Sequence, residues 1–75
     1  MPTIIDLKLG EKAIVKELIH SPISNRMAAM GIVEGVEITV SFSAPLGDPL
    51  AVELNGTLLC LRKDEARLVE IRKVD

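Results

Sequence analysis

This chain has very little with which to do covalent chemistry. Among its 75 residues are one histidine, His20, one cysteine, Cys60, and neither tryptophan nor tyrosine. An enzyme needs convergent reactive groups, and nothing in the sequence places His20 beside Cys60, so no catalytic role is expected. Cys60 sits between Leu59 and Leu61 and reads as a small core or sheet-face residue. With one cysteine no internal disulfide can form, which points to a reducing compartment, the cytoplasm. There is no glycine-rich phosphate loop: Gly31 and Gly35 flank a turn, and no lysine follows at loop spacing. A tight site for zinc or ferrous iron takes three or four N, S or O ligands. Asp6, Glu17 and His20 are the nearest set, but Glu17 and His20 share a face only on a helix, and a strand and a turn are expected there. No resident cofactor or metal is therefore expected. His20 remains a weak candidate ligand for a divalent transition metal, with its shell completed by a neighbouring chain.

Aromatic residues and positive charge are also scarce. Phe42 is the only aromatic, and the net charge is −2. Small barrels that bind nucleic acid offer a basic groove with stacking platforms, and those that grip proline-rich peptides line a groove with aromatics. Neither function is expected. The longest uncharged run, Ile38 to Gly47, holds serines and a proline and is too short to cross a bilayer. No basic stretch followed by an apolar one opens the chain. The expectation is a soluble cytoplasmic protein, one domain over 1–75, with no direct membrane insertion. Yet 48% of the residues are hydrophobic. A chain of this size has little interior, so part of that apolar content is expected on a surface kept for a partner.

Two runs alternate cleanly. Val36, Ile38, Val40 and Phe42 alternate with Glu37, Thr39, Ser41 and Ser43, and Leu50, Val52 and Leu54 alternate with Ala51, Glu53 and Asn55. A period of two predicts half-buried strands, with each apolar set on the buried face. Between them lies Ala44-Pro45-Leu46-Gly47-Asp48-Pro49. Pro45 and Pro49 pin φ, Gly47 can take positive φ, and Asp48 can bond its own backbone, so the connection is a shaped loop with an apolar tip at Leu46. Asn55-Gly56 predicts a two-residue hairpin into a strand over Thr57 to Arg62. Glu11 to Leu18 reads as a first strand whose phase slips, which a bulge near Lys16-Glu17 would repair. Ser21-Pro22 breaks that strand. A short helix is expected over Ser24 to Met30, capped by Ser21 or Ser24 and stopped at Gly31. Ile23, Met27 and Met30 fall on one face of it. Lys63 to Ala66 reads as a single helical turn, and Leu68 to Lys73 as the last strand. The fold class is mostly β. It is a small five-stranded SH3-like barrel, with one short helix between strands one and two and a one-turn helix before the last strand.

The assembled pattern resembles the FeoA family, ferrous iron transport protein A. The resemblance is carried by Arg26-Met27-Ala28-Ala29-Met30-Gly31-Ile32, Gly35, Ala44-Pro45-Leu46-Gly47-Asp48-Pro49-Leu50, Leu59-Cys60-Leu61-Arg62-Lys63 and Glu65-Ala66. It runs from about Leu7 to Ile71. Departures are Glu34, where proline is common, and Met27, Ala28 and Met30, where leucines are usual. The resemblance implies a small cytoplasmic accessory or regulator of ferrous iron transport. Its partner would be the cytoplasmic portion of FeoB, a membrane transporter with a G-protein domain. The expected contact face is the loop Ala44, Pro45, Leu46, Gly47, Asp48 and Pro49, together with Arg26, Met27 and Met30 on the helix. The alternative is a transition-metal-binding protein, an iron chaperone or sensor. The sequence leaves a homodimer open.

Overall fold

A computed structural model describes residues 2–74, so Met1 and Asp75, the ends of the expected domain 1–75, lie outside them. Five strands form one antiparallel sheet: β1 (Lys12–Leu18), β2 (Glu37–Ser43), β3 (Leu50–Leu54), β4 (Thr57–Leu61) and β5 (Val69–Lys73). Their spatial order is β4-β3-β2-β1-β5. Two short helices interrupt them, α1 (Pro22–Ala29) between β1 and β2, and α2 (Lys63–Ala66) before β5. No described helix is long and apolar enough to cross a membrane. The expected five strands and two helices are all present, with ends displaced by one or two residues.

The sheet bends at two bulges. The first is the expected one: the β1–β5 register slips between Val15 and Glu17, which leaves Lys16 as the extra residue. That slip lets Ala13 and Val15 enter the core although Leu18 stands on the other phase. The second corrects the sequence reading. The β2–β3 register slips between Val40 and Phe42, and Ser41 is extra. Ile38 and Val40 are buried as expected, but the phase then inverts and Phe42 is 55% exposed. It stands on the outer face opposite Ala51. Leu50, Val52 and Leu54 of β3 all point inward.

α1 begins two residues earlier than the sequence suggested. Pro22 is its first residue, where the missing N–H costs nothing, so the strand breaker is also the helix starter. Ser21 and Ser24 cap it reciprocally: Ser24 N–H donates to Ser21 Oγ at 3.1 Å, and Ser21 N–H to Ser24 Oγ at 2.9 Å. The helix ends in a full Schellman motif. Gly31 N–H donates to Ala28 O at 3.0 Å, and Ile32 N–H to Met27 O at 3.1 Å. Met27 and Ile32, joined by that bond, are both fully buried.

The chain before Leu7 is also built into the fold, which the sequence reading missed. Thr3-Ile4-Ile5-Asp6 forms a 3₁₀ turn over Ile4–Asp6, with Thr3 N–H donating to Asp6 Oδ2 at 2.8 Å. It drives Ile4 fully into the core. There Ile4 joins Val15, Met27, Ile38, Val52, Leu61, Val69 and Ile71.

Gly31 is the most demanding backbone position. Its φ is +105°, and a Cβ there would stand 2.9 Å from Leu54 Cδ2. Gly31→Ala combines a left-handed conformation with a displaced core methyl. The expected loss is about 1–2 kcal/mol in urea or thermal unfolding, with the near-native fold retained. A variant as stable as wild type would refute this account of the helix stop.

Candidate functional site

The β2–β3 loop is held at both its base and its middle. Ala44 N–H donates to Pro49 O at 3.0 Å and closes the base. Gly47 N–H donates to Ala44 O at 2.7 Å, with Gly47 at φ +81°, and this makes a tight turn across Pro45-Leu46. The Asp48-Pro49 peptide is cis. Turn and closure together leave Leu46 standing out of the surface at 87% exposure, the apolar tip the sequence suggested.

Asp48 does something other than bond its own loop. Its Oδ1 accepts from Lys63 N–H at 3.2 Å, the first amide of α2. That N–H has no helical partner of its own, so the loop carboxylate satisfies a group the helix leaves open. A small cleft of about 80 Å³ lies beside the loop, lined by Ile4, Leu7, Val40, Gly47, Leu50 and Lys63 among others.

α2 is also where α1 is tied. Glu65 is nearly buried and uses both carboxylate oxygens. Oε1 accepts from Arg62 N–H at 2.8 Å, and Oε2 pairs with Arg26 Nη2 at 2.7 Å. Arg26 lies in the last turn of α1, where a cation also suits the helix dipole. Loop, α2 and α1 therefore form one connected surface, linked through Asp48, Lys63, Glu65 and Arg26.

The residues expected on a contact face thus divide. Pro45, Leu46, Asp48 and Pro49 are exposed on the loop, and Ala44 and Gly47 are half-buried at its turn. Met30 is exposed at the end of α1. Met27 does not belong with them: it is fully buried in the core, on the face of α1 that seats on the barrel. Arg26 is mostly exposed, and its guanidinium pairs with Glu65. Sequence reasoning placed Glu65 in the helical turn but missed its pairing with Arg26, because Arg62 is not a capping residue and no capping-box signature marks the glutamate.

His20 is exposed in the segment between β1 and α1. Among the described residues no three His, Cys, Asp or Glu side chains gather closely enough to hold a metal ion. Cys60 is a free thiol on the outer sheet face, exposed rather than in the core.

This architecture has close counterparts. The chain is 30% identical over 73 residues to a Campylobacter jejuni protein named, provisionally, Fe(2+) transport protein A, covering 96% of this chain and 99% of that one. The solution structure of iron(II) transport protein A from Clostridium thermocellum superposes with a TM-score of 0.91 at 35% identity. It covers 97% of this chain, which spans only 46% of that one. The Stenotrophomonas maltophilia FeoA crystallised with zinc, described as a procaryotic SH3 domain protein, superposes with a TM-score of 0.85 at 30% identity, covering 96% of this chain and 91% of that one. The mostly-β fold is thus SH3-like, as the strand pattern suggested. The model of the FeoA domain matches residues 3–73, nearly the whole length, and the chain belongs to the FeoA family.

Proposed function

We propose that this chain is a small accessory protein of ferrous iron transport. It acts by docking on the cytoplasmic portion of a FeoB-type transporter, in the cytoplasm, and carries out no catalysis of its own. Iron transport comes from the names of its relatives. The mode of action rests on one observation: the loop over residues 44–49 is closed, turned and anchored, and it holds an apolar side chain in water.

An exposed leucine on a mobile loop would lose much of its binding energy to ordering. Here Pro45, the Gly47 turn and the Asp48 anchor have met that cost during folding, so contact at Leu46 adds almost directly to affinity. Met30 is a second exposed apolar group on the same connected surface. Arg26 is paired with Glu65. It braces α1 against α2 and so keeps Met30 in place relative to the loop.

Titration of the transporter's cytoplasmic portion tests this reading. Leu46→Asp should weaken binding tenfold or more, which corresponds to about 1.4 kcal/mol, by placing a charge in a desolvated contact. Its thermal unfolding should match wild type within about 0.5 kcal/mol, because Leu46 touches no core. Binding equal to wild type would reduce the loop to a connector.

Arg26→Ala tests the brace. It should cost about 0.5–1 kcal/mol in stability, since the arginine is mostly exposed while Glu65 keeps its bond to Arg62. Arg26→Lys should recover only part of the loss, because an ammonium cannot match the planar guanidinium. Wild-type stability in Arg26→Ala would show that the brace carries no load.

The zinc complex of the Stenotrophomonas relative keeps a second reading in view, a metal-binding protein. The ligand inventory argues against it, since a lone imidazole makes an incomplete shell. Anaerobic calorimetry with ferrous iron should give a dissociation constant on the order of tens of micromolar or weaker, and His20→Ala should remove what binding there is. Stoichiometric sub-micromolar binding that survives His20→Ala would favour the metal-binding reading.

A further inference from the structure

The sheet has two edges, and the chain treats them differently. The β5 edge is covered: Ile71 N–H donates to Pro2 O at 3.0 Å, and Thr3 bridges Glu70. The β4 edge is not. Among the described residues, β3 is the only strand paired with β4.

The hairpin register shows which groups are left over. Leu54 faces Thr57 across the two-residue turn, with Asn55 at φ 50° and Gly56 at φ 81°. That pair exchanges both backbone bonds, and Val52–Leu59 and Leu50–Leu61 follow at every second position. Leu58 and Cys60 alternate with these. Their N–H and C=O groups point away from β3, and no described residue takes them up. Backbone groups without partners belong in water, and both residues are exposed, Leu58 at 61%. The edge also lacks the usual protection, because Thr57–Leu61 carries no charge and no proline.

We propose that β4 pairs with β4 of a second copy of this chain, antiparallel, about a two-fold axis through Leu59. The covered β5 edge argues for this occupant. A β4-to-β5 contact would be head-to-tail and would build rings or filaments, but Pro2 and Thr3 already occupy that edge. Self-pairing of β4 remains, and it closes at a dimer.

The register follows from the backbone. Leu58 opposite Cys60 of the second copy, and the reverse, uses all four outward groups of each chain. Leu58 opposite Leu58 would bring Cys60 against Gly56, which is in the turn. Cys60 opposite Cys60 would bring Leu58 against Arg62, whose N–H is held by Glu65. In the favoured register Leu58 meets Cys60 on the outer face and Leu59 meets Leu59, so no charge is buried. Across β3, Cys60 faces Ala51, which is buried, and Ala51 faces the exposed Phe42. A strand-to-strand contact of this length is at the small end of interfaces, so the dimer is weak and concentration-dependent.

Analytical ultracentrifugation of the full chain under reducing conditions tests the proposal. From micromolar to millimolar concentration the average mass should rise from that of a monomer towards twice that value. Cys60→Pro deletes one outward N–H and leaves every bond to β3, a substitution edge strands accept. It should stay monomeric at every concentration with an unchanged far-UV spectrum. Leu58→Cys should, on oxidation, give a covalent dimer through Cys60 of the second copy, since facing residues of a bonded pair have Cα atoms about 5.5 Å apart, within disulfide reach. Wild-type Cys60 lies diagonal to its own copy and should not cross-link. A wild-type chain that stays monomeric to millimolar concentration overturns the proposal, including the case in which the edge serves another protein's strand. So does a folded Cys60→Pro that dimerises like wild type. If Cys60→Pro does not fold, the Leu58→Cys cross-link decides, and oxidation to monomer alone refutes the register.

Discussion

Five strands of five to seven residues enclose a core only if the sheet turns sharply, and here the turning is done by two extra residues. A chain this short buries little surface, so it cannot leave the inner face of a flat sheet open to water. Lys16 and Ser41 each interrupt a ladder and bend the strand that carries them. The rest depends on those bends. They close the inner face over a core that Ile4 and Met27 enter, and the second turns Phe42 outward. The strand order leaves β4 at one end of the sheet, paired among the described residues only with β3.

A second level of organisation lies where α2 meets the loop and α1. α2 is only four residues long and has no stability of its own. It persists because its open amides are taken by groups from nearby and from far along the chain: Glu65 takes that of Arg62, and Asp48 that of Lys63. The other oxygen of Glu65 is left for Arg26. A nearly buried carboxylate is tolerable there because both of its oxygens are bonded, one to an amide and one to a guanidinium. The surface proposed to meet the transporter is therefore held together by polar contacts at the barrel's rim, while the apolar core holds the sheet.

What could be read from the sequence was local. Alternation, Asn55-Gly56, the phase slip after Val15 and the Gly31 stop are short-range signals, and each corresponds to a feature in the structure. The loop was legible for the same reason, since two prolines and a glycine act on their own backbone. The misses were of two kinds. Phe42 continues a perfect alternation, and nothing in the letters marks Ser41 as a bulge; the slip is set by pairing with β3. Arg26 and Glu65 lie 39 residues apart, and Met27's burial depends on how α1 seats on the barrel. Such contacts belong to the assembled fold. Pro22 is legible as a strand breaker, and its second role, opening α1, is not, although the same missing N–H serves both.

The way the loop is fastened has a consequence for how this protein can change over time. Gly47 and Asp48 are committed to the turn and to α2, so substitution there disturbs the barrel. Leu46 lies between Pro45, which stiffens the turn, and Gly47, and its side chain projects into solvent. Mutation at Leu46 is therefore nearly invisible to folding. If the loop is the proposed contact, selection can retune recognition at one codon without first finding compensating changes in the core, and a drifting partner can be followed by a single side chain.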